Sequence, residues 1–214
     1  MVKVKICGIT NWPDAKLAIA AGADLLGFNF YRPSPRYITP ARARRIIRRL
    51  PRGVRAVGVF VNESPARIRA VASAAGLNWV QLHGYERAAA VAELARAFPV
   101  MKAFRVRPGF RVTALTPYAS ALRRGGFLLD GYRPDLRGGT GRTFDWSVAM
   151  RARRYGRLFL AGGLTPENIA QAIRNVRPYG VDLCSGVEAR PGKKDPARLR
   201  EFMRRVEEAN RGLR

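Results

Sequence analysis

The chain has 214 residues, enough to bury a sizeable core, and its 47% hydrophobic and 9% aromatic content is ordinary globular usage that excludes disorder. No run of roughly 18 apolar residues offers a membrane span, and two cysteines with one histidine supply neither a disulfide framework nor a metal-ligand cluster. The formal charge of +25, with a pI near 11.6, admits a nucleic-acid partner.

The N-terminus, MVKVKICGIT, reads as a strand over Val2–Cys7 and lacks the apolar stretch of a signal peptide, so the expected location is the cytoplasm. Lys3, Lys5 and Cys7 share parity and therefore one face of that strand, where Lys5 can favour a Cys7 thiolate. A helix over Pro13–Ala21 follows, capped by Asn11 and stopped by Gly22. The second strand is expected over Asp24–Phe30 and the second helix over Pro40–Leu50, after Thr39. The third pair is Arg55–Val61 and Ala66–Ala75, the helix opened by Ser64–Pro65 and stopped by Gly76. Strands at Trp79–Leu82, Val100–Arg105, Phe127–Asp130, Arg157–Ala161 and Val181–Cys184 then alternate with helical periods at Glu86–Ala97, Val112–Arg124, Asp145–Tyr155, Pro166–Val176 and Pro196–Ala209.

This alternation predicts a single (β/α)₈ barrel over residues 1–214. An open doubly wound sheet is the alternative, but the turn Cys7–Gly8–Ile9–Thr10 is not the G-x-G-x-x-G of a dinucleotide fold. Arginines recur on the expected helices at Arg42, Arg44, Arg45, Arg48 and Arg49, at Arg151, Arg153 and Arg154, and at Arg198, Arg200, Arg204 and Arg205. Charge spread in this way reads as solvated helix faces rather than a nucleic-acid patch, and a basic surface also draws in an anionic substrate.

Barrel active sites lie at the C-terminal ends of the strands. Those ends carry Cys7, the segment Ser34–Pro35–Arg36, Asn62, Gln81–His83–Gly84, Asp130, a loop with Gly138–Gly139–Thr140–Gly141, Gly162–Gly163 and Ser185–Gly186. Gly162, Gly163, Ser185 and Gly186 follow the seventh and eighth strands, where glycine lets backbone N–H groups close on a phosphate. Either glycine pair alone would be an ordinary turn. Arg36 offers a planar fork suited to a carboxylate. Cys7 and Asp130 are the candidate proton movers. A free cysteine is usually a small buried hydrophobe and an aspartate at a strand end is often a turn residue, but an unpaired acid closing an apolar run is costly.

The segments KICGIT, GFNFYRPSPRYI, VGVFVN, VQLHG, LLD, GGTGRTFDW, LAGGLTPENI and GVDLCSGVEARPGKKD resemble, in order, the motifs of the phosphoribosylanthranilate isomerase family, from Lys5 to Asp195. The resemblance implies an Amadori rearrangement of N-(5-phosphoribosyl)anthranilate to 1-(2-carboxyphenylamino)-1-deoxyribulose 5-phosphate in tryptophan biosynthesis, with no metal or organic cofactor. It further implies Cys7 as general base, Asp130 as general acid, Arg36 on the anthranilate carboxylate, the glycine and serine turns on the phosphate, and supporting roles for His83 and Asp182. Ring opening needs a proton on the ring oxygen and enolamine formation needs one taken from C2′, so one acid and one base suffice. Free Asp and Cys titrate near 3.9 and 8.5, the wrong forms at neutral pH, so the site must shift them or work through a minor form. The family usually has serine where Cys184 stands, which favours Ser185 and Gly186 as the phosphate contacts.

Two other readings compete. An aminoaldose isomerase of histidine biosynthesis would use two aspartates, and Cys7 speaks against it. A basic nucleic-acid-binding protein would leave Cys7, Asp130 and the paired turns without a role. The expected partner is a small sugar phosphate, with no specific nucleic acid and no membrane; a homo-oligomer is left open.

Overall fold

The structure, a computed structural model, describes residues 1–131 and 144–212. The expected Gly138–Gly139–Thr140–Gly141 loop lies outside the described residues.

Eight parallel strands close into a barrel: β1 (Lys3–Ile6), β2 (Leu25–Asn29), β3 (Arg55–Phe60), β4 (Trp79–Leu82), β5 (Val100–Val106), β6 (Gly126–Gly131), β7 (Leu158–Ala161) and β8 (Gly180–Leu183). Each pairs with its sequence neighbour, and β8 returns to β1 with Lys5 beside Asp182 and Ile6 beside Leu183. The helices are α1 (Trp12–Ala20), α2 (Pro40–Ile47), α3 (Pro65–Ala75), α4 (Ala88–Ala95), α5 (Trp146–Ala152), α6 (Ile169–Val176) and α7 (Pro196–Arg211). Side chains of Asn11, Thr39 and Ser64 each accept from the backbone N–H three residues on, and Asp195 accepts from Ala197 and Arg198. These caps satisfy donors that a helix start leaves unpaired. Gly76 closes α3 at φ +78°, the left-handed turn that glycine adopts without Cβ strain.

Three features differ from the sequence reading. The fifth helical segment is a 3₁₀ turn over Val112–Tyr118, because Pro117 inside it removes a donor that an α-helix needs. The seventh helical segment, α6, begins at Ile169 rather than Pro166. There the Thr165 N–H donates to Asn168 Oδ1 and the Asn168 amide donates to the Gly163 carbonyl, so the turn is built around Asn168 and the helix is delayed. Beyond β8 a two-stranded antiparallel hairpin, β9 (Glu188–Arg190) and β10 (Lys193–Lys194), turns at Pro191–Gly192.

The apolar side chains divide into two cores. The larger packs the helices on the outside of the barrel, with Ile6, Phe28, Phe60, Leu129, Leu160 and Phe202 among its buried members. The smaller fills the lower barrel with Leu25, Val57, Met101, Leu128 and Phe159. Along the strands the same parity then brings Lys5, Gln81 and Asp182 inward above that plug, all buried. The barrel thus presents a polar floor to its C-terminal mouth. The arginines noted on α2, α5 and α7 are exposed, as solvated helix faces require. No helix among the described residues is long and apolar enough to cross a membrane.

Candidate active site

A cavity of about 470 Å³ opens at the C-terminal ends of the strands. Cys7, Arg36, His83, Asp130, Gly162, Gly163, Asp182, Ser185 and Gly186 all line it, so the residues given a role from the sequence come to one place, while Asn62 and Gly84 stand outside the lining. Each is delivered by a strand end or the loop that follows, which is why residues up to 179 positions apart in sequence meet.

Cys7 is buried at the end of β1. A methyl group on Gly27 of β2 would stand 2.7 Å from the Cys7 Sγ and 3.1 Å from the Lys5 Nζ, so the thiol and ammonium share one small space that only glycine leaves open. Lys5 pairs with Asp182 at 2.7 Å and is fully buried. Burial pushes the Asp182 carboxyl up to about 6 against the pull of Lys5, which still leaves it ionised at neutral pH. The Lys5 ammonium is held charged despite its burial by Asp182 and Cys7. Cys7 itself is held well below the ordinary thiol range. A hydrogen bond from Cys184 and the charges of Lys5 and Lys194 outweigh the opposing effect of burial. The Cys184 thiol is pushed up by the same hydrogen bond and by its own burial, so it remains the donor of the pair.

Asp130 lies near the end of β6 across the barrel mouth, three strands from β1 by way of β7 and β8 and five by way of β5 to β2. Its Oδ2 meets the His83 Nε2 at 3.1 Å, and the His83 Nδ1 lies 2.8 Å from the Gln81 Nε2. A methyl group on Gly162 would stand 2.7 Å from the Asp130 Oδ1 and 2.2 Å from the Gly131 N, so the phosphate-side turn and the acid are packed together. Gly162 and Gly163 both have positive φ, +80° and +67°, and Gly186 approaches the Leu164 carbonyl so closely that a methyl group would lie 2.1 Å from it. These turns therefore require glycine for backbone geometry, and Gly162, Gly163 and Gly186 all line the cavity.

Arg36 lies on the cavity with a partner the sequence reading did not assign. Its Nε and Nη2 donate to the Glu188 carboxylate at 3.0 and 2.6 Å, leaving Nη1 for a second acceptor. Glu188 also accepts from Lys194 at 3.0 Å and from the Gly192 N–H at 3.2 Å, and the Cys184 thiol lies 3.8 Å away. Glu188 and Lys194 are participants that sequence reasoning passed over, and Gln81 was placed at the end of the fourth strand without a role. The first two sit in the GVEARPGKKD segment, and Gln81 shares strand parity with His83.

The family model described as N-(5'phosphoribosyl)anthranilate (PRA) isomerase matches residues 4–205. A curated relative of that name from Pelobacter propionicus is 53% identical over 208 residues, covering 97% of each chain. The crystal structure of phosphoribosyl anthranilate isomerase from Thermotoga maritima is 46% identical, covers 97% of this chain and 100% of that one, and superimposes with a TM-score of 0.87. A structure of phosphoribosyl anthranilate isomerase in complex with reduced 1-(o-carboxyphenylamino)-1-deoxyribulose 5-phosphate is 43% identical, with the same coverage and a TM-score of 0.84.

Proposed function

The chain belongs to the phosphoribosylanthranilate isomerase family, and from that premise we propose that the cavity at its barrel mouth performs the isomerisation with Cys7 as base and Asp130 as acid. The reaction is the conversion of N-(5'-phosphoribosyl)anthranilate to 1-(2-carboxyphenylamino)-1-deoxyribulose 5-phosphate, an aldose–ketose isomerisation in tryptophan biosynthesis.

The observation that carries the assignment of roles is the placement of an acidified thiol and a carboxyl on facing walls of one cavity. Asp130 gives a proton to the furanose ring oxygen as the C1′–O bond breaks and its electron pair goes to that oxygen, while the anthranilate nitrogen forms the C1′ imine. The Cys7 thiolate then takes the C2′ proton, and the electrons left behind form the enolamine, which ketonises to product. An acid and base on opposite sides of the sugar let both transfers proceed without moving the substrate. Lys5 and Lys194 serve Cys7 by favouring its thiolate. Gly162, Gly163, Ser185 and Gly186 supply the phosphate cradle, and Arg36, oriented by Glu188, directs its remaining donors to the anthranilate carboxylate. The reading treats the whole barrel as one catalytic unit and accords with a cytoplasmic location.

The test is a fluorescence assay following loss of phosphoribosylanthranilate, run with inorganic phosphate as a competitor. Turnover with competitive inhibition by phosphate is expected. Absence of turnover, or inhibition that leaves KM unchanged, would contradict the reading.

A further inference from the structure

Gln81 is 1% exposed, and its amide stands at the inner end of a hydrogen-bonded chain that runs through His83 to Asp130. In the arrangement present, the amide nitrogen faces the His83 Nδ1, so Nδ1 is bare and accepts, and the ring proton sits on Nε2, where Asp130 accepts it. The Gln81 Oε1 is left buried without a hydrogen-bond partner. An orphaned buried carbonyl costs free energy, and a half-turn of the amide would give Oε1 a donor if Nδ1 carried a proton, with the amide nitrogen taking the place that Oε1 leaves.

We propose that Gln81 is a positioning residue that governs the loading of Asp130 with its proton: the end of the amide turned to the His83 Nδ1 decides whether the His83–Asp130 pair can hold the proton that ring opening consumes. This rests on the reading of Asp130 as the acid. With the amide nitrogen toward Nδ1, the pair holds one proton, on Nε2, and Asp130 has none to give. With Oε1 toward Nδ1, an Nδ1–H is accommodated and the pair holds a second proton, shared across the 3.1 Å Nε2···Oδ2 contact. Asp130 then passes a proton to the ring oxygen as the C1′–O bond breaks. In each turnover the pair loses one proton and Cys7 gains one from C2′, and exchange with solvent restores both. The two ends of the amide have the same shape, so the switch requires no repacking of the barrel floor.

The other charged groups around the pair belong to three further strands. Asp130 lies on β6 and Arg105 beside it on β5, while Asp182 on β8 is paired with Lys5 of β1, next to Cys7. Asp182 and His83 interact through their charges, and among the described residues Gln81 is the hydrogen-bond partner at Nδ1.

His83 is the only histidine in the chain, so its two ring nitrogens can be read directly by NMR of protein labelled with ¹⁵N-histidine. In the wild type, Nε2 is expected to be protonated throughout and Nδ1 to gain its proton as pH falls. Gln81→Glu offers Nδ1 only an acceptor and should raise the midpoint of that event by about one pH unit or more, a tenfold change in proton affinity. Gln81→Met keeps the volume, offers no acceptor and should lower it. The basic limb of the kcat profile for phosphoribosylanthranilate should follow each midpoint. Unchanged midpoints and limbs in both variants would overturn the proposal. If neither variant folds, the wild type decides: a neutral ring protonated on Nε2 supports the proposal and one protonated on Nδ1 overturns it. Asp130→Asn separates the two ideas, because full turnover in that variant would defeat the acid assignment, whereas the nitrogen spectra test Gln81 alone.

Discussion

Glu188 is where stability and substrate recognition are joined, and Glu188→Gln probes both with almost no change of shape. The carboxylate side chain is 3% exposed and faces two cations, Lys194 with 0% and Arg36 with 21% side-chain exposure. Removing one member of a buried ionic group leaves the others uncompensated, at a cost of ~3–5 kcal/mol. The glutamine carbonyl still accepts one hydrogen bond and Arg36 reaches solvent, so the lower end applies, about 3 kcal/mol. For a chain of this size 1 kcal/mol moves the melting temperature by about 2–4 °C, which gives a loss of roughly 6–12 °C. The loss should depend on pH. Burial pushes the Glu188 carboxyl up, but the hydrogen bond from Arg36 and the charge of Lys194 prevail and hold it below the usual carboxylate range. A depressed folded value means that the stabilisation is complete above the unfolded value, about 4.3 for glutamate, and is lost as pH falls through the folded one. Thermal melts of both proteins from neutral pH into that acid window should therefore converge only at its lower end. Arg36, no longer held by two charge-assisted bonds, should also raise KM more than it lowers kcat. Equal melting temperatures at neutral pH, or a gap undiminished in acid, would refute the reasoning.

Cys184→Ala removes the donor to the Cys7 sulfur, so Cys7 should titrate higher and the acid limb of kcat/KM should move to higher pH, while Cys184→Ser, which keeps a donor, stays closer to wild type. A pH profile identical in all three proteins would show that the thiol pair does not tune the base. Gly162→Ala places a Cβ 2.2 Å from the Gly131 N and 2.7 Å from the Asp130 Oδ1 at φ +80°. Backbone strain of about 1–3 kcal/mol and a displaced acid should lower both the melting temperature and kcat; unchanged kcat would mean that the turn does not position Asp130.

The elements that the chain encodes locally were legible. Asn11, Thr39, Ser64 and Asp195 announce helix starts because a cap bonds residues two or three positions away. Strand parity alone placed Lys5 beside Cys7, and the expected site residues meet in one cavity. Pro117 and Pro166 show the limit of such signals. The same residue that opens a helix after Thr39 shortens one at Pro117 and is overridden at Pro166 by the Asn168 side chain. Pro191–Gly192 is a turn signal that could have revealed the β9–β10 hairpin, but strands of three and two residues carry too little pattern to register. The ionic partners were the least visible. Lys5 and Asp182 are 177 residues apart and Arg36 and Glu188 are 152 apart. Parity states which way a side chain faces and not which strand it will find across the barrel, so Glu188 and Lys194 emerge only once β8 has closed on β1.

The central claim is that Cys7 and Asp130 move the protons while the rest of the cavity binds. Its most direct test is turnover of phosphoribosylanthranilate by Cys7→Ser and Asp130→Asn beside wild type, with phosphate binding measured on each. Both variants should lose about 10²–10⁴-fold in kcat, the usual worth of a general acid or base, and should bind phosphate as wild type does. Wild-type turnover in Cys7→Ser would return that cysteine to the status of a buried thiol, and wild-type turnover in Asp130→Asn would remove the acid from the mechanism.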